Sequence, residues 1–329
     1  MLKIHFFNAA EGDAILLEYE GGRAPYRVLV DTGRAVLPES AGSLRQTADR
    51  HLQRLGIGYI DALVITHLHV DHIQDLPKIM ETVRFGRIYS TYFPKDPSVR
   101  IPDISSDLKA VRELPKDLNT LAESIRAADR AGTEKIPVTE DTYIPMAEAY
   151  GSILIRMPGE DTLDFQNGVC DRLFSGLPVT EEEIYRAAKS RNNNSLRLLV
   201  RYAGKTIALD GDYYASSAEK EDQECCDILK AAHHGDRKSM TEKLAAMLRP
   251  KITVISCMRE YDAKKDRPSK SAADMLRKYG SEIIYTDCYE EPGRPAEYHE
   301  EVLITIDETG RIEIVSPAGY RSPLPALPE

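Results

Sequence analysis

The chain has 329 residues and carries 43 Lys and Arg against 53 Asp and Glu, a formal net charge of −10. This balance excludes a protein that coats nucleic acid through a basic surface, although bound divalent cations can still supply the positive charge that phosphate chemistry needs. With 42% apolar residues the chain can build a sizeable core, and no run approaches the roughly 18 apolar residues of a membrane span.

From the N-terminus, Met1–Phe7 and Ala14–Tyr19 read as strands around the turn Ala10-Glu11-Gly12-Asp13. Acids at Glu11 and Asp13, with no basic stretch before an apolar one, predict a strand of the folded chain and not a signal peptide. Tyr26–Val30 is a third strand, ending at Asp31-Thr32-Gly33. Ser43–Leu55 has helical spacing, with Leu44, Ala48, Leu52 and Leu55 on one face and Gly56 as a stop. Ala62–Ile65 is a strand, followed by His67-Leu68-His69-Val70-Asp71-His72 and a helix over Ile73–Thr82. Arg87–Phe93 is the next strand. Residues 103–133 read as a helical excursion, either filler over the sheet or a lid, with Pro115 interrupting the helical pattern of Asp107–Ala131. Ser152–Arg156, Ser195–Tyr202, Thr206–Leu209, Asp227–Ala231, Ile252–Ser256 and Glu282–Tyr285 are strands; Thr241–Leu248 and Ser269–Tyr279 are helices. Val302–Ile306 and Arg311–Val315 make a hairpin across Glu308-Thr309-Gly310. Two sheets with helices outside them satisfy this order, as one unit over residues 1–318 with a proline-rich tail over 319–329.

The five cysteines (Cys170, Cys225, Cys226, Cys257 and Cys288) are odd in number, irregular in spacing and without a C-x-x-C pair. That predicts a reducing, cytoplasmic compartment. Plain thiols are the simplest reading of Cys225-Cys226, and a metal or redox pair is the alternative.

Three of the eight histidines fall in one six-residue window together with a carboxylate. Neutral imidazole and carboxylate are the ligands that zinc and similar metals prefer. His67 and His69 are two apart in an extended loop and can point the same way. Asp71 and His72 follow where the chain turns into a helix. The two pairs therefore suit two neighbouring metals. Of the other histidines, His5, His51 and His299 read as structural or surface groups. His233 and His234 end an apolar strand before Gly235, and are the best remaining donors. Asp210 and Asp212 flank Gly211 at a strand end. A carboxylate can bridge two cations and an imidazole cannot, so Asp212, beyond the glycine, is the expected bridge. Asp210 is expected to cap the turn or to lie behind the ligands.

These motifs, in this order, resemble the metallo-β-lactamase superfamily. Glu11-Gly12-Asp13-Ala14, Leu29-Val30-Asp31-Thr32-Gly33, Asn192-Asn193-Asn194-Ser195-Leu196, Asp210-Gly211-Asp212 and Leu229-Lys230-Ala231-Ala232-His233-His234-Gly235 resemble the hydrolase domain of competence-type (ComEC-like) proteins. The resemblance implies an αββα sandwich with a dinuclear site at the loop edge of its two mixed sheets. One metal would take His67 and His69, and the other Asp71, His72 and His234, with Asp212 between them. Asp31 would orient a ligand histidine, and Asn193 and Asp210 would lie behind the ligands. Three departures stand out. No histidine occurs between His72 and His233, so the first metal is short of a ligand. Asp236 stands where the branch has Ser, which would discourage an anionic substrate. The membrane channel of the competence proteins has no counterpart here, so their uptake role does not transfer.

The chemistry these residues predict is hydrolysis by a metal-activated water, with Asp71 orienting the water, Asp212 bridging and His233 as the acid. Zinc is the first choice of metal, and an oxygen-rich first site suits manganese as well. A phosphodiester in a small or single-stranded nucleotide substrate is the first reading. A lactone, lactam or thioester is the second, a metal-stabilised binding module the third, and metal redox chemistry the remainder.

Overall fold

Alternation of apolar residues along short strands builds two sheets whose facing sides make one core. The computed structural model describes residues 1–22, 24–39, 43–147, 151–159, 162–258, 260, 266–287 and 299–315. The strands are Leu2–Phe7 (β1), Ile15–Tyr19 (β2), Tyr26–Val30 (β3), Tyr59–Val64 (β4), Arg84–Ser90 (β5), Glu134–Pro137 (β6), Thr142–Tyr143 (β7), Ser152–Arg156 (β8), Arg197–Tyr202 (β9), Lys205–Leu209 (β10), Ile228–Lys230 (β11), Ile252–Ile255 (β12), Glu282–Tyr285 (β13), Glu301–Ile306 (β14) and Ile312–Val315 (β15). The first sheet runs β15-β14-β1-β2-β3-β4-β5-β6 and the second β13-β12-β11-β10-β9-β8-β7. Both are mixed: β3 to β6 and β10 to β13 pair in parallel, and the other pairings are antiparallel.

The helices are Ala48–Arg54 (α1), Val70–Ile73 (α2), Leu76–Ile79 (α3), Lys109–Ala131 (α4), Thr162–Phe174 (α5), Glu181–Ser190 (α6), Ala215–Ala218 (α7), Glu242–Leu248 (α8) and Lys270–Lys278 (α9). Strand β4 shows how the layers are made. Ala62 and Val64 point into the core between the sheets, against Leu198, Val200 and Leu209. Leu63 points the other way, into a core closed by α1, α3, α4, α5 and α6. The outer face of the second sheet is closed in the same way by α7, α8 and α9. The architecture is an αββα sandwich.

The structure corrects several local expectations. The helix expected from Ser43 begins at Ala48. The one expected over Ile73–Thr82 is two short helices, α2 and α3, on either side of Gln74 and Asp75. Pro115 lies inside α4, which runs through it for 23 residues. Helix α4 is no lid: Leu114, Leu118, Leu121 and Ile125 are buried in the outer core of the first sheet, and Asp117 ion-pairs with Arg191 at 2.5 Å. Helices α5 and α6 were not read from the sequence, although Thr180 and Glu183 form a capping box at the start of α6. Cys170, Cys225 and Cys226 are free thiols. Cys288 and the tail 319–329 lie outside the described residues. No described helix is long and apolar enough to cross a membrane.

Candidate metal centre

The centre forms where the carboxyl ends of β3 and β4 in one sheet meet those of β10 and β11 in the other. Asp31, just past β3, holds the histidine loop at two points. Its Oδ1 accepts from the Thr66 amide at 2.8 Å, and its Oδ2 accepts from Thr66 Oγ1 at 2.6 Å and faces His72 Nδ1 at 2.7 Å. The Thr32 amide donates to the His72 carbonyl at 2.7 Å. The turn before β2 closes on the same loop: the Asp13 amide donates to the Asp71 carbonyl at 3.1 Å. A Cβ at Gly12 would stand 2.8 Å from that carbonyl oxygen, so the approach needs glycine. Deeper in, Arg191 Nη1 donates to the Leu68 carbonyl at 2.6 Å while pairing with Asp117.

The second sheet delivers Asp212 and the histidine pair. Gly211 has φ of +51°, and a Cβ there would press on Thr66 and Ser195 at 3.1–3.2 Å. The Asp212 amide donates to Ser195 Oγ at 3.3 Å, and the His233 amide donates to the Gly211 carbonyl at 3.0 Å. His233 and His234 both adopt left-handed backbone, φ 49° and 54°. Such strain at two consecutive non-glycine residues is held only where the surroundings over-determine it. Here it splits the pair, with His234 buried and His233 turned toward the mouth.

Two of the groups whose donor atoms lie within 4.8 Å of one another divide the expected ligands, His67, His69 and Asp212 in one and Asp71, His72 and His234 in the other; Asp13 joins two more, with Asp212 and His234 and with Asp31 and His72. Asp212 faces both: Oδ2 lies 3.7 Å from His67 Nε2, and Oδ1 lies 3.3 Å from His72 Nε2 and 3.4 Å from His234 Nε2. His234 Nε2 is also 3.5 Å from Asp71 Oδ2. His72 Nε2, His234 Nε2 and Asp212 Oδ1 are buried without a hydrogen-bond partner. Buried polar atoms left in this state are costly, and a shared cation is what satisfies imidazole and carboxylate donors aimed at one another. The donor set therefore fits divalent metal.

The charges agree. Burial drives the imidazoles of His67 and His69 well below the ordinary histidine value, which keeps them neutral donors. Burial opposes the charged form of His72 too, but Asp212 and Asp31 overcome it and hold that pKa well above the ordinary value. Burial would raise Asp71 and Asp212; His234 and His72 outweigh it and keep both carboxylates well below their usual range. The pit thus holds two carboxylates that demand positive charge.

Residues 12–259 match the family model of the metallo-beta-lactamase superfamily. The chain belongs to this superfamily. Over 304 residues it is 30% identical to ComE operon protein 3 of Bacillus subtilis (strain 168), a match that takes in 87% of this chain and 32% of that protein. The chain thus spans about a third of the length of that relative. Likeness to solved structures is weaker. A metal-dependent hydrolase of the beta-lactamase superfamily is 14% identical, with a TM-score of 0.44 over 96% of this chain and 100% of that one. The metallo-beta-lactamase fold protein YhfI from Bacillus subtilis is 12% identical, with a TM-score of 0.46 over 87% of this chain and 96% of that one.

For a metallo-β-lactamase superfamily protein, the surroundings of the donors differ from expectation at two residues, His233 and Asp236. An asparagine not singled out in the sequence, Asn192, reaches the site: its Nδ2 lies 3.1 Å from His233 Nε2. Asp210 belongs to neither donor group; its carbonyl closes the turn to the Tyr213 amide at 3.1 Å. Burial raises its carboxyl pKa against the pull of Arg197 and Lys230. His233 does not carry a proton aimed at the site. Its Nδ1 faces Asp236 Oδ2 at 2.6 Å, and its Nε2 accepts from Arg267 Nη2 at 2.5 Å. An imidazole nitrogen that accepts from a guanidinium has no proton to give, so the acid expected at His233 is absent in this arrangement. Asp236 is not a free acid at the mouth, because His233 and the Lys238 amide, at 2.7 Å, both serve it.

Sequence reasoning missed Asp13, Lys230, Arg191, Asn192 and Arg267 as parts of the centre. Buried Lys230 ion-pairs with Asp13 and donates to the Gly211 carbonyl at 3.1 Å. Asp13 in turn lies 3.6 Å from His234 Nδ1. A signal for both was present, since they lie inside the glycine-aspartate turn and the strand leading into His233-His234.

Proposed function

We propose that this metal-dependent hydrolase cleaves a phosphodiester bond in a small or single-stranded nucleotide substrate. It would hold one divalent ion at His67, His69 and Asp212 and a second at Asp71, His72, His234 and Asp212. The stance of Asp212 carries the reading, with Oδ2 toward His67 at 3.7 Å and Oδ1 toward His72 and His234 at 3.3 and 3.4 Å. When bound, two such ions supply Lewis acidity toward an attacking water and toward the oxygens of an in-line displacement.

The chain's own residues do the positioning. Asp31 fixes the His72 ring through Nδ1, which leaves Nε2 aimed at the second group. His67 and His69 stay neutral through burial. Asp71, partly open at the mouth, orients the water. Asp236 is spoken for by His233, so it offers less repulsion to an anionic substrate than its place in the sequence suggested. The net charge of −10 favours a short substrate over long duplex. Zinc is the first candidate and manganese the second. The free thiols among the described cysteines support a reducing, cytoplasmic setting.

The test is a substrate panel with metal analysis on the same preparation. Protein loaded with zinc or manganese is expected to carry two ions and to cleave bis-p-nitrophenyl phosphate but not nitrocefin or a homoserine lactone. The reverse pattern overturns the phosphodiester reading. Protein whose metal cannot be exchanged without unfolding, and which turns over nothing, is a metal-stabilised module instead.

A further inference from the structure

Arg267 is buried, 6% exposed, beside the donor groups. Nη1 donates to Glu11 Oε1 at 2.9 Å, and Nη2 donates to His233 Nε2 at 2.5 Å. Asp236 Oδ2 is nearby at 4.0 Å but is already engaged by His233 Nδ1 and the Lys238 amide. The Nε of Arg267 is buried and has no hydrogen-bond partner. Arginine–carboxylate pairs are frequently bidentate. This guanidinium spends an arm on a single imidazole lone pair and leaves its Nε without a hydrogen-bond partner.

The position of that imidazole matters. His233 Nε2 lies 3.7 Å from Asp212 Oδ2, so the arm of Arg267 reaches the rim of the proposed metal pair. Arg34 Nη2 lies 3.9 Å from Asp71 Oδ2 on another part of the rim, but its side chain is more open, 28% exposed. Asp13 is matched by Lys230, and Asp236 by His233. Among the described residues, Arg267 is the buried cation whose arm reaches His233 beside Asp212.

We propose that Arg267 is the anion-recognising residue of the centre, donating to a non-bridging phosphoryl oxygen of the substrate. The planar donor fork of arginine suits phosphate better than the point charge of lysine. This rests on the phosphodiester reading above and assigns its substrate recognition to one side chain.

The experiment compares the zinc-loaded 329-residue chain with Arg267→Lys and Arg267→Gln. Each is first checked for metal content and unfolding temperature. Binding of thymidine 5′-monophosphate is then measured by calorimetry, and turnover of bis-p-nitrophenyl phosphate as separate kcat and KM. A hydrogen bond to a charged group is worth enough to weaken binding by about 10- to 100-fold. That loss is expected in Arg267→Gln, with Arg267→Lys intermediate, metal content unchanged and the kinetic loss mainly in KM. Unaltered nucleotide affinity in a folded, metal-loaded Arg267→Gln overturns the inference. If Arg267→Gln fails to fold, unaltered affinity in Arg267→Lys does the same. So does a wild type that binds no thymidine monophosphate. Arg267-dependent binding without phosphodiester turnover supports the inference and removes the phosphodiesterase reading. Wild-type turnover that Arg267→Gln matches does the opposite.

Discussion

The two donor groups share Asp212 but not their surroundings. Behind Asp71, His72 and His234 stand Asp31, 2.7 Å from His72 Nδ1, and Asp13, 3.6 Å from His234 Nδ1 and ion-paired with buried Lys230. Behind His67 stands the Thr66 hydroxyl at 3.1 Å, and His67 Nε2 meets His69 Nδ1 at 2.8 Å, ring against ring. Carboxylates behind ligand histidines orient them and raise their basicity. The His72 side is thus built as a rigid, charge-compensated seat. The His67 side has fewer donors and no further histidine from the stretch between His72 and His233. On the proposed two-ion reading, the contrast predicts an order of occupancy: the His72 side would fill first and hold its ion more tightly, and the His67 side would stay more open to water and substrate.

Asp212 is the residue both sides need, so its removal is expected to have the largest effect. Asp212→Ala should lose most of both ions and reduce hydrolysis by at least about a thousandfold, since a single oxyanion-stabilising donor already contributes on the order of 10²–10³. Metal analysis and turnover on one preparation check it. Full activity in Asp212→Ala removes the bridging assignment and the comparison with it. The next test bears on the contrast directly. His72→Ala is expected to lose the tightly held ion and activity together. His67→Ala should keep one ion per chain through dialysis against a weak chelator. Retention in His72→Ala with loss in His67→Ala would reverse the order.

A smaller effect is expected one layer out. Asp31→Asn keeps the shape of the side chain but removes the charge that faces His72 Nδ1. Partners of this kind typically contribute about 10- to 100-fold in metal affinity. A competitive zinc titration should show that loss in the tighter site, with the weaker site changed less. Equal weakening of both sites would mean that Asp31 acts on the whole loop through Thr66, whose amide and hydroxyl it also accepts.

The parts of this contrast legible in the sequence are those carried by local chain. His67, His69, Asp71 and His72 offer their donor atoms from one continuous loop, and Asp212 and His234 are strand-end residues beside glycines. For these, spacing and punctuation suffice. The layers were legible too, because strand alternation sets which face of β4 meets which core. What was not legible depends on long-range meeting. Arg267 and Glu11 are 256 residues apart when they pair, and Arg191 reaches Leu68 across 123. Lys in a strand is ordinarily a solvated side chain; only the arrival of Asp13 from the first sheet makes Lys230 a buried cation. Nor does spacing say which of two adjacent histidines turns inward. That follows from two left-handed residues in a row, which the sequence His233-His234 gives no reason to expect. Helix α4 could be read as filler over the sheet or as a lid, and the burial of its apolar stripe in the outer core decides for the first.

The smallest effect on activity concerns a histidine outside the centre, and it separates the pH dependence of the fold from that of the metal seats. His51 in α1 is fully buried, stacks on Phe7 at 4.5 Å, and has its pKa lowered to about 4 by burial and by Arg54. The unfolded chain returns it to an ordinary value near about 6.5. The folded state then binds fewer protons than the unfolded state between those values. Its stability is fully present above about pH 6.5 and is lost as pH falls toward 4. The share due to His51 is about 2 kcal/mol between pH 7 and pH 5. Urea unfolding of metal-free protein at the two pH values should show this loss, and His51→Gln should flatten it by that amount. Zinc affinity at pH 7 should be the same in His51→Gln and wild type, because His51 touches neither donor group. An unflattened stability profile would place the fold's acid sensitivity in the ligand histidines themselves. The two donor groups could then no longer be compared without first subtracting the unfolding of their frame.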